Sequence, residues 1–290
     1  MSLTQDSIAR FAFTNHDVRG EIVRLHESYK SLLAGHDYPK IVQQLLGELM
    51  AVTSLLTATL KFEGHINVQI QGNDGPLNFA TVNGSHGQAL RGVARLTREP
   101  EQQDFRSLVG EGAYLVITLT PNNGEKYQGM VAIEGDSLAE AIESYFLQSE
   151  QLPTRIWLFA DADKGQAAGL FLQVLPAGVN TDSSFEHVST LASTITAEEL
   201  FTLATEEVLH RLYHEETIEL YPEDPVTFSC GCSRERTASA LRNVSLAELH
   251  NILDEDGELR LTCDYCLTEY VYTRFDIDAL NAHSAPEQTQ

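Results

Sequence analysis

Four cysteines, Cys230, Cys232, Cys263 and Cys266, are the residues of this sequence best suited to do chemistry, and the 229 residues before them contain none. They form a C-x-C pair and a C-x-x-C pair with 30 residues between. Four thiolates in two close pairs supply a closed tetrahedral shell, which soft, non-redox Zn2+ accepts without an open position for substrate. Gly231 lets the backbone fold tightly between two ligands, and a C-x-x-C knuckle aims both sulfurs at one point. The expected cofactor is therefore one zinc ion per chain, held by these four residues in the reduced state. Spacing alone leaves open a purely structural zinc ribbon. A thioredoxin-like reading of Cys263 and Cys266 is weaker, because that motif belongs at a strand-to-helix turn of a βαβ unit, and here it lies between two strand-like runs.

Other candidate groups are poorer. His210 and His214 are four apart with Glu215 following, but HRLYHEE is not the HExxH of a zinc protease, and the pair reads as a surface helix feature. His250 lies between the cysteine pairs and is surplus to a four-sulfur shell. Glu198-Glu199 and Glu215-Glu216 are sequence neighbours, which do not face one point on a helix. There is no G-x-S-x-G, P-loop lysine motif or G-x-G-x-x-G, so no catalytic or nucleotide-binding residue is assigned and no enzyme is expected. The Asn243-Val244-Ser245 sequon has meaning only in an exported protein.

The segment that must position the cysteines is short. After Val226 come helical stretches RERTASALRN and SLAELHNILD, then strand-like LRLTC and EYVYT. A unit of about 60 residues buries little surface and usually needs a metal or disulfides. Before it, residues 178–229 offer three short helices, 185–195, 197–203 and 206–214, with 11 acidic residues against the single Arg211, a net −10. Like charges at that density repel and short helices are marginal alone, which makes this segment a candidate metastable linker; composition alone leaves open an ordinary solvated acidic helix pair. Further upstream, residues 39–61 put apolar side chains at helical spacing behind Pro39 and predict a long buried helix. Seven alternating runs, from HINVQIQG to AAGLFLQVLP, predict strands, interrupted by a helix over 137–150 with Ser137 as N-cap and Glu140 completing a capping box. The fold class is thus α+β: a mixed sheet-and-helix body over 1–177, an acidic helical linker over 178–229 and a small four-cysteine domain over 230–290. The SAPEQTQ tail reads as disordered.

With 42 acidic and 19 basic residues, the chain carries a formal −23, which repels phosphate backbones and anionic lipid. Nucleic acid and membrane are excluded as partners. The start MSLTQDSIARFAF lacks the features of a secretory signal, and Leu49–Leu60 is too short to span a bilayer. Clustered thiols without export point to a reducing, cytoplasmic setting.

The chain resembles the 33-kilodalton heat-shock protein family, redox-regulated bacterial holdases, along nearly its whole length. The resemblance rests on Cys230-Gly-Cys232-Ser-Arg-Glu-Arg236, on Cys263-Asp-Tyr-Cys266, on Tyr145-Phe-Leu-Gln-Ser-Glu-Gln-Leu-Pro-Thr154 and on Arg211-Leu-Tyr-His-Glu-Glu216. HDVRGE, with Arg19 and Gly20, and TSLLTATLKFEG, ending at Gly64, are also similar to family sequence. The resemblance implies an ATP-independent chaperone that is inactive while its cysteines hold zinc. It further implies that oxidation pairs Cys230 with Cys232 and Cys263 with Cys266, ejects zinc, unfolds the zinc domain and linker, and exposes a surface for unfolding client proteins. A homodimer in the activated state is compatible with it. One departure is Leu267, where family members often carry glycine; it bears on the geometry of the knuckle and not on the ligand set. A constitutive zinc-ribbon binding module and a thiol oxidoreductase stand as the rival readings.

Overall fold

Two units make up the chain, Met1–Ser229 and Cys230–Gln290. The computed structural model describes residues 6–175 and 181–282. The boundary expected at 177/178 and the SAPEQTQ tail lie outside the described residues.

In the larger unit, β1 (Ser7–Phe13) and β2 (Val18–Leu25) pair antiparallel and lead into α1 (Glu27–Leu33) and α2 (Lys40–Ala58). Pro39 caps α2 with its fixed φ of −54°, as the Pro start predicts. Leu45, Leu46, Leu49, Met50, Val52 and Leu55 are each at most 3% exposed, and each contributes about 1.5–3 kcal/mol by burial. By length and composition α2 could cross a membrane, yet 78% of its apolar window is buried inside the body, so that surface is taken up by the core.

The seven expected strands all form. They are β3 (Gly64–Gln71), β4 (Leu77–Ser85), β5 (Ala89–Leu96), β6 (Tyr114–Pro121), β7 (Tyr127–Ala132), β8 (Thr154–Asp161) and β9 (Gln166–Val174). The short α3 (Phe105–Val109) precedes β6, and α4 (Leu138–Tyr145) lies between β7 and β8. Ser137 caps α4 by accepting from the Glu140 N–H, while Glu140 reaches back to the Asp136 N–H, one residue before the position a strict capping box uses. A π-helical turn, Phe146–Glu150, extends α4 and ends at Gln151, which is left-handed at φ +55°.

Residues 181–229 fold as α5 (Thr181–Ala192), α6 (Ala197–Thr202), α7 (Thr205–Tyr213) and the short β10 (Ile218–Leu220), β11 (Asp224–Pro225) and β12 (Thr227–Phe228). One sheet runs β10-β1-β2-β9-β8 with β11 also on β1; the other runs β12-β5-β4-β3-β6-β7. The strands of this acidic segment therefore close the β1 edge of one sheet and the β5 edge of the other. The period of two along β2 and β9 splits the apolar residues into two cores. Val23, Leu25 and Phe171 join α2 in the larger one, and Ile22, Leu170 and Leu172 meet Val188, Leu200, Leu209 and Tyr213 of α5–α7 in the second.

Two polar ties hold the acidic helices to the body. Buried Arg24 donates from Nε to the Leu200 carbonyl at 2.8 Å and from Nη1 to Thr205 Oγ1 at 2.7 Å, and that hydroxyl donates to Glu223 at 2.6 Å. Glu216 bridges His16 of the β1–β2 turn (2.8 Å) and His187 of α5 (2.9 Å), and the hydrogen bonds from His187 and then His16 hold its carboxyl below the usual range.

The smaller unit comprises α8 (Arg234–Leu241), α9 (Leu246–Asp256), the hairpin β13 (Leu259–Thr262) and β14 (Glu269–Tyr272), and α10 (Arg274–Ala282). Its helices start at Ser233 and Ser245, whose hydroxyls cap α8 and α9.

Candidate metal centre

Cys230 and Cys232 lie on the short stretch that enters α8, and Cys263 and Cys266 on the turn of the β13–β14 hairpin. Local chemistry shapes both stretches. Gly231 takes φ +62°, and Arg236 Nη1 donates to its carbonyl at 2.6 Å, tying the C-x-C turn to the first turns of α8. The knuckle closes through Leu267 N–H to Cys263 O at 2.8 Å and Cys263 N–H to Thr268 O at 2.9 Å. Leu267 sits at φ +56°, in the left-handed region that glycine favours. The departure seen in the sequence is therefore a residue held in a conformation costly for a side chain of its type.

All four thiols are half-buried and joined by no disulfide, and their Sγ atoms lie within 4.8 Å of one another. Cys230 Sγ is 3.4 Å from Cys263 Sγ, and Cys232 Sγ is 3.4 Å from Cys266 Sγ. Zn–S bonds of about 2.3 Å place tetrahedral sulfurs about 3.8 Å apart, so the donor set fits a Zn2+ ion in size and chemistry. Both close contacts cross between the two motifs, so the two pairs converge on one point.

Surrounding groups polarise the sulfurs unequally. Burial, with the hydrogen-bonded Cys263 thiol, pushes Cys230 up. At Cys232 the Tyr270 hydroxyl, donating to Sγ at 3.1 Å, favours the thiolate, but burial and the neighbouring thiols leave the net shift upward; Tyr270 itself is pushed up to about 12. Burial opposes ionisation of Cys266, yet hydrogen bonds from the Thr268 hydroxyl and N–H outweigh it and bring the thiol down to about 6. Arg236, Thr268 and Tyr270 thus support the site. A hydroxyl two residues after the last cysteine, and a tyrosine two residues further on in β14, are the sequence signals that could have identified two of them.

Arg234 braces the scaffold. Its guanidinium stacks 4.4 Å over Tyr272, donates to the Val271 carbonyl at 2.6 Å and pairs with Asp276 at 3.1 Å, so α8, β14 and α10 are joined at one side chain. The buried core beneath is seven residues, Ala238 to Ile277. The other histidine candidates stand apart from this chemistry. His210 and His214 are exposed on and beside α7, with ring centroids 6.3 Å apart, and His250 pairs with Asp278 at 2.8 Å.

The architecture and the thiol cluster define a class: an α+β protein with a large two-sheet body and a small unit built round four convergent cysteines. The model of the Hsp33 protein family matches residues 6–273, and the chain belongs to that family. The 33 kDa chaperonin of Shewanella baltica (strain OS155) is 52% identical over 289 residues, spanning 99% of this chain and all of the relative. That of Shewanella oneidensis is 50% identical over the same length, again covering 99% of this chain and all of the relative. The crystal structure of the 33 kDa chaperonin of Thermotoga maritima shares the fold, with a TM-score of 0.82 at 22% identity over 96% of this chain and 98% of that one.

Proposed function

We propose that this chain is a redox-regulated, ATP-independent holdase that captures unfolding proteins in the cytoplasm under oxidative stress. Family membership supports the chaperone class. The observation that carries the regulatory reading is the convergence of four sulfurs within 4.8 Å in a unit whose described residues bury a core of seven. Zn2+ bound by Cys230, Cys232, Cys263 and Cys266 keeps the sulfurs as thiolates, and one metal supplies about 10–16 kcal/mol of folding free energy to such a unit. Oxidation by peroxide or hypochlorous acid, forming Cys230–Cys232 and Cys263–Cys266 disulfides, removes the ligands and with them that support.

Residues 178–229 are the second element of the switch, a metastable linker between the body (1–177) and the redox domain (230–290). Their helices cover Phe11, Phe13, Ile22 and Leu172 on the outer face of the β1-containing sheet. Release of the linker would bare that face, and Leu200, Leu209 and Tyr213 with it. The segment's −10 charge weakens its hold on a molecule that is acidic throughout.

The test is light scattering of a heat-denaturing client with reduced and with oxidised protein, alongside zinc release. Protection is expected only after oxidation, with about one zinc released per chain, and ATP should not alter it. A chain ending before Cys230 should protect without oxidant and be cut by protease within 178–229. Zinc retained under peroxide would favour the constitutive ribbon module. Turnover of insulin disulfides would favour the oxidoreductase.

A further inference from the structure

We infer that the body contains a ligand site for a small amphipathic anion, an apolar chain ending in a carboxylate, in a cavity of about 360 Å³ anchored by Arg19. The site lies wholly within the larger unit and does not depend on the thiol switch. Three runs singled out in the sequence meet on it: HDVRGE through Arg19, TSLLTATLKFEG through Leu56 to Phe62, and the run from Tyr145 to Thr154 through Phe146 and Leu152.

The anchor is built across three adjacent strands. Arg19 of β2 stands opposite Gln173 of β9, which stands opposite Thr154 of β8. Arg19 Nη2 donates to Gln173 Oε1 at 2.8 Å, and Gln173 Nε2 donates to Thr154 Oγ1 at 3.0 Å. Gln173 and Thr154 are 3% and 4% exposed. The amide is therefore locked with its oxygen toward Arg19, and the guanidinium is positioned before any ligand arrives.

A guanidinium carries five N–H donors in a planar fork. Gln173 takes one, and the Glu21 carboxylate stands 3.9 Å from Nε, beyond hydrogen-bond reach. The remaining fork suits a bidentate carboxylate. Glu21 offsets the charge only in part: it is 2% exposed, its Oε2 has no hydrogen-bond partner among the described residues, and burial, opposed by the Arg19 charge, raises its carboxyl to about 7. Lys61 and Glu150, both exposed, oppose each other among the lining residues, which leaves Arg19 as the unmatched charge of the lining.

The other walls call for hydrocarbon. Leu56, Leu60, Ile117, Leu119, Phe146 and Leu152 line the space. Its volume is near the lower end of the roughly 300–1,000 Å³ typical of ligand pockets, which suits a medium-length acyl chain better than a bulky ring system.

The test uses the reduced, zinc-loaded full-length chain, which by the proposed function is the inactive state, so its result is independent of chaperone activity. Sodium decanoate, decylamine and sodium acetate are titrated by calorimetry. One decanoate per chain should bind, with decylamine at least about tenfold weaker, since a charge-assisted bond is worth about 1.5–3 kcal/mol; acetate should not bind measurably. Arg19→Gln should weaken decanoate by about tenfold or more, Arg19→Lys should recover only part of that loss, and Leu152→Trp, which fills the half-buried wall, should abolish binding. Thermal melting confirms that each variant folds, and Leu152→Trp alone decides the matter if the arginine variants do not. Absence of saturable binding, equal affinity for decylamine, binding of acetate as tight as decanoate, or several decanoates per chain insensitive to Leu152→Trp would each overturn the site.

Discussion

The body wraps α2 between two six-stranded sheets and adds a second apolar core beneath α5–α7, whereas the described residues of the cysteine unit form one two-stranded hairpin, three helices and a core of seven buried residues. A chain folded around α2 stays folded through many small contributions spread over dozens of side chains. The cysteine unit places its stability on four sulfurs and a few supporting hydrogen bonds. On the proposed switch, one covalent event would undo the second unit and release the segment that leads into it, while the core around α2 stays intact. A switch located in the body would have no such leverage, because removing any single contact costs only a small part of the total.

The largest expected effect tests that division directly. Replacing Cys263 with serine, or adding a chelator under reducing conditions, should unfold the cysteine unit, because a metal held there would supply about 10–16 kcal/mol and so small a core cannot compensate. Calorimetry should show loss of the unit's transition while a cooperative transition of the α2 core persists. A cooperative collapse of both units would refute the comparison.

A smaller effect should appear at the linker. Arg24→Met leaves the Leu200 carbonyl and the Thr205–Glu223 pair without their buried donor, at a cost of about 3 kcal/mol for two charged hydrogen bonds. Hydrogen exchange across α6 and α7 should accelerate in the reduced protein while exchange in β13 and β14 stays slow. Unchanged protection in α6 and α7 would remove Arg24 as a tie.

The body should also show a pH dependence of its own. Burial raises the Glu21 carboxyl from 4.5 to about 7, so between those values the folded chain binds more protons than the unfolded one. This contribution to stability is complete below about pH 4.5 and is lost as pH rises through about 7. Glu21→Gln should therefore gain on the natural protein between pH 5 and pH 8, by roughly 2–3 kcal/mol at most. Glu48 is raised similarly, so the informative quantity is the difference between the two proteins in urea melts. A difference that does not vary with pH would contradict this account.

The smallest effect concerns the knuckle. Leu267 is left-handed at φ +56°, and glycine there should relieve about 1 kcal/mol. Leu267→Gly should hold zinc about fivefold more tightly against a competing chelator and release it more slowly under peroxide. Weaker retention would show that the leucine side chain, 38% exposed, contributes more by packing than it costs in backbone strain.

The parts of this fold legible in the sequence are those where one signal dominates. Strict alternation marked β3 to β9, Pro39 and helical spacing marked α2, and cysteine spacing marked the ligand cluster. β2 gave no such signal because Arg19, Glu21 and Arg24 interrupt its apolar residues, although Glu21 and Arg24 are buried. Their burial depends on partners from distant strands and helices, which no local window contains. β10 to β12 are two or three residues each and are set by pairing with β1 and β5 rather than by their own composition. At the candidate site the four sulfurs were visible, but the role of Arg236 was not, since it depends on where the first turns of α8 point its side chain. Leu267 was visible only as a departure, and the backbone supplied its meaning.

The short strands closing both sheets bear on a different problem, that of keeping a β-rich molecule from adding strands to itself. In this conformation β10 and β11 occupy the free side of β1, and β12 occupies the free side of β5. Release of residues 218–228 would leave two long strands with unpaired N–H and C=O groups, a template for any extended chain that can match their register. Capture of a client could then proceed through main-chain pairing that ignores side-chain identity, which is the tolerance a protein needs to hold many unrelated unfolding sequences. The same two edges would have to be sealed again before the molecule could return to rest.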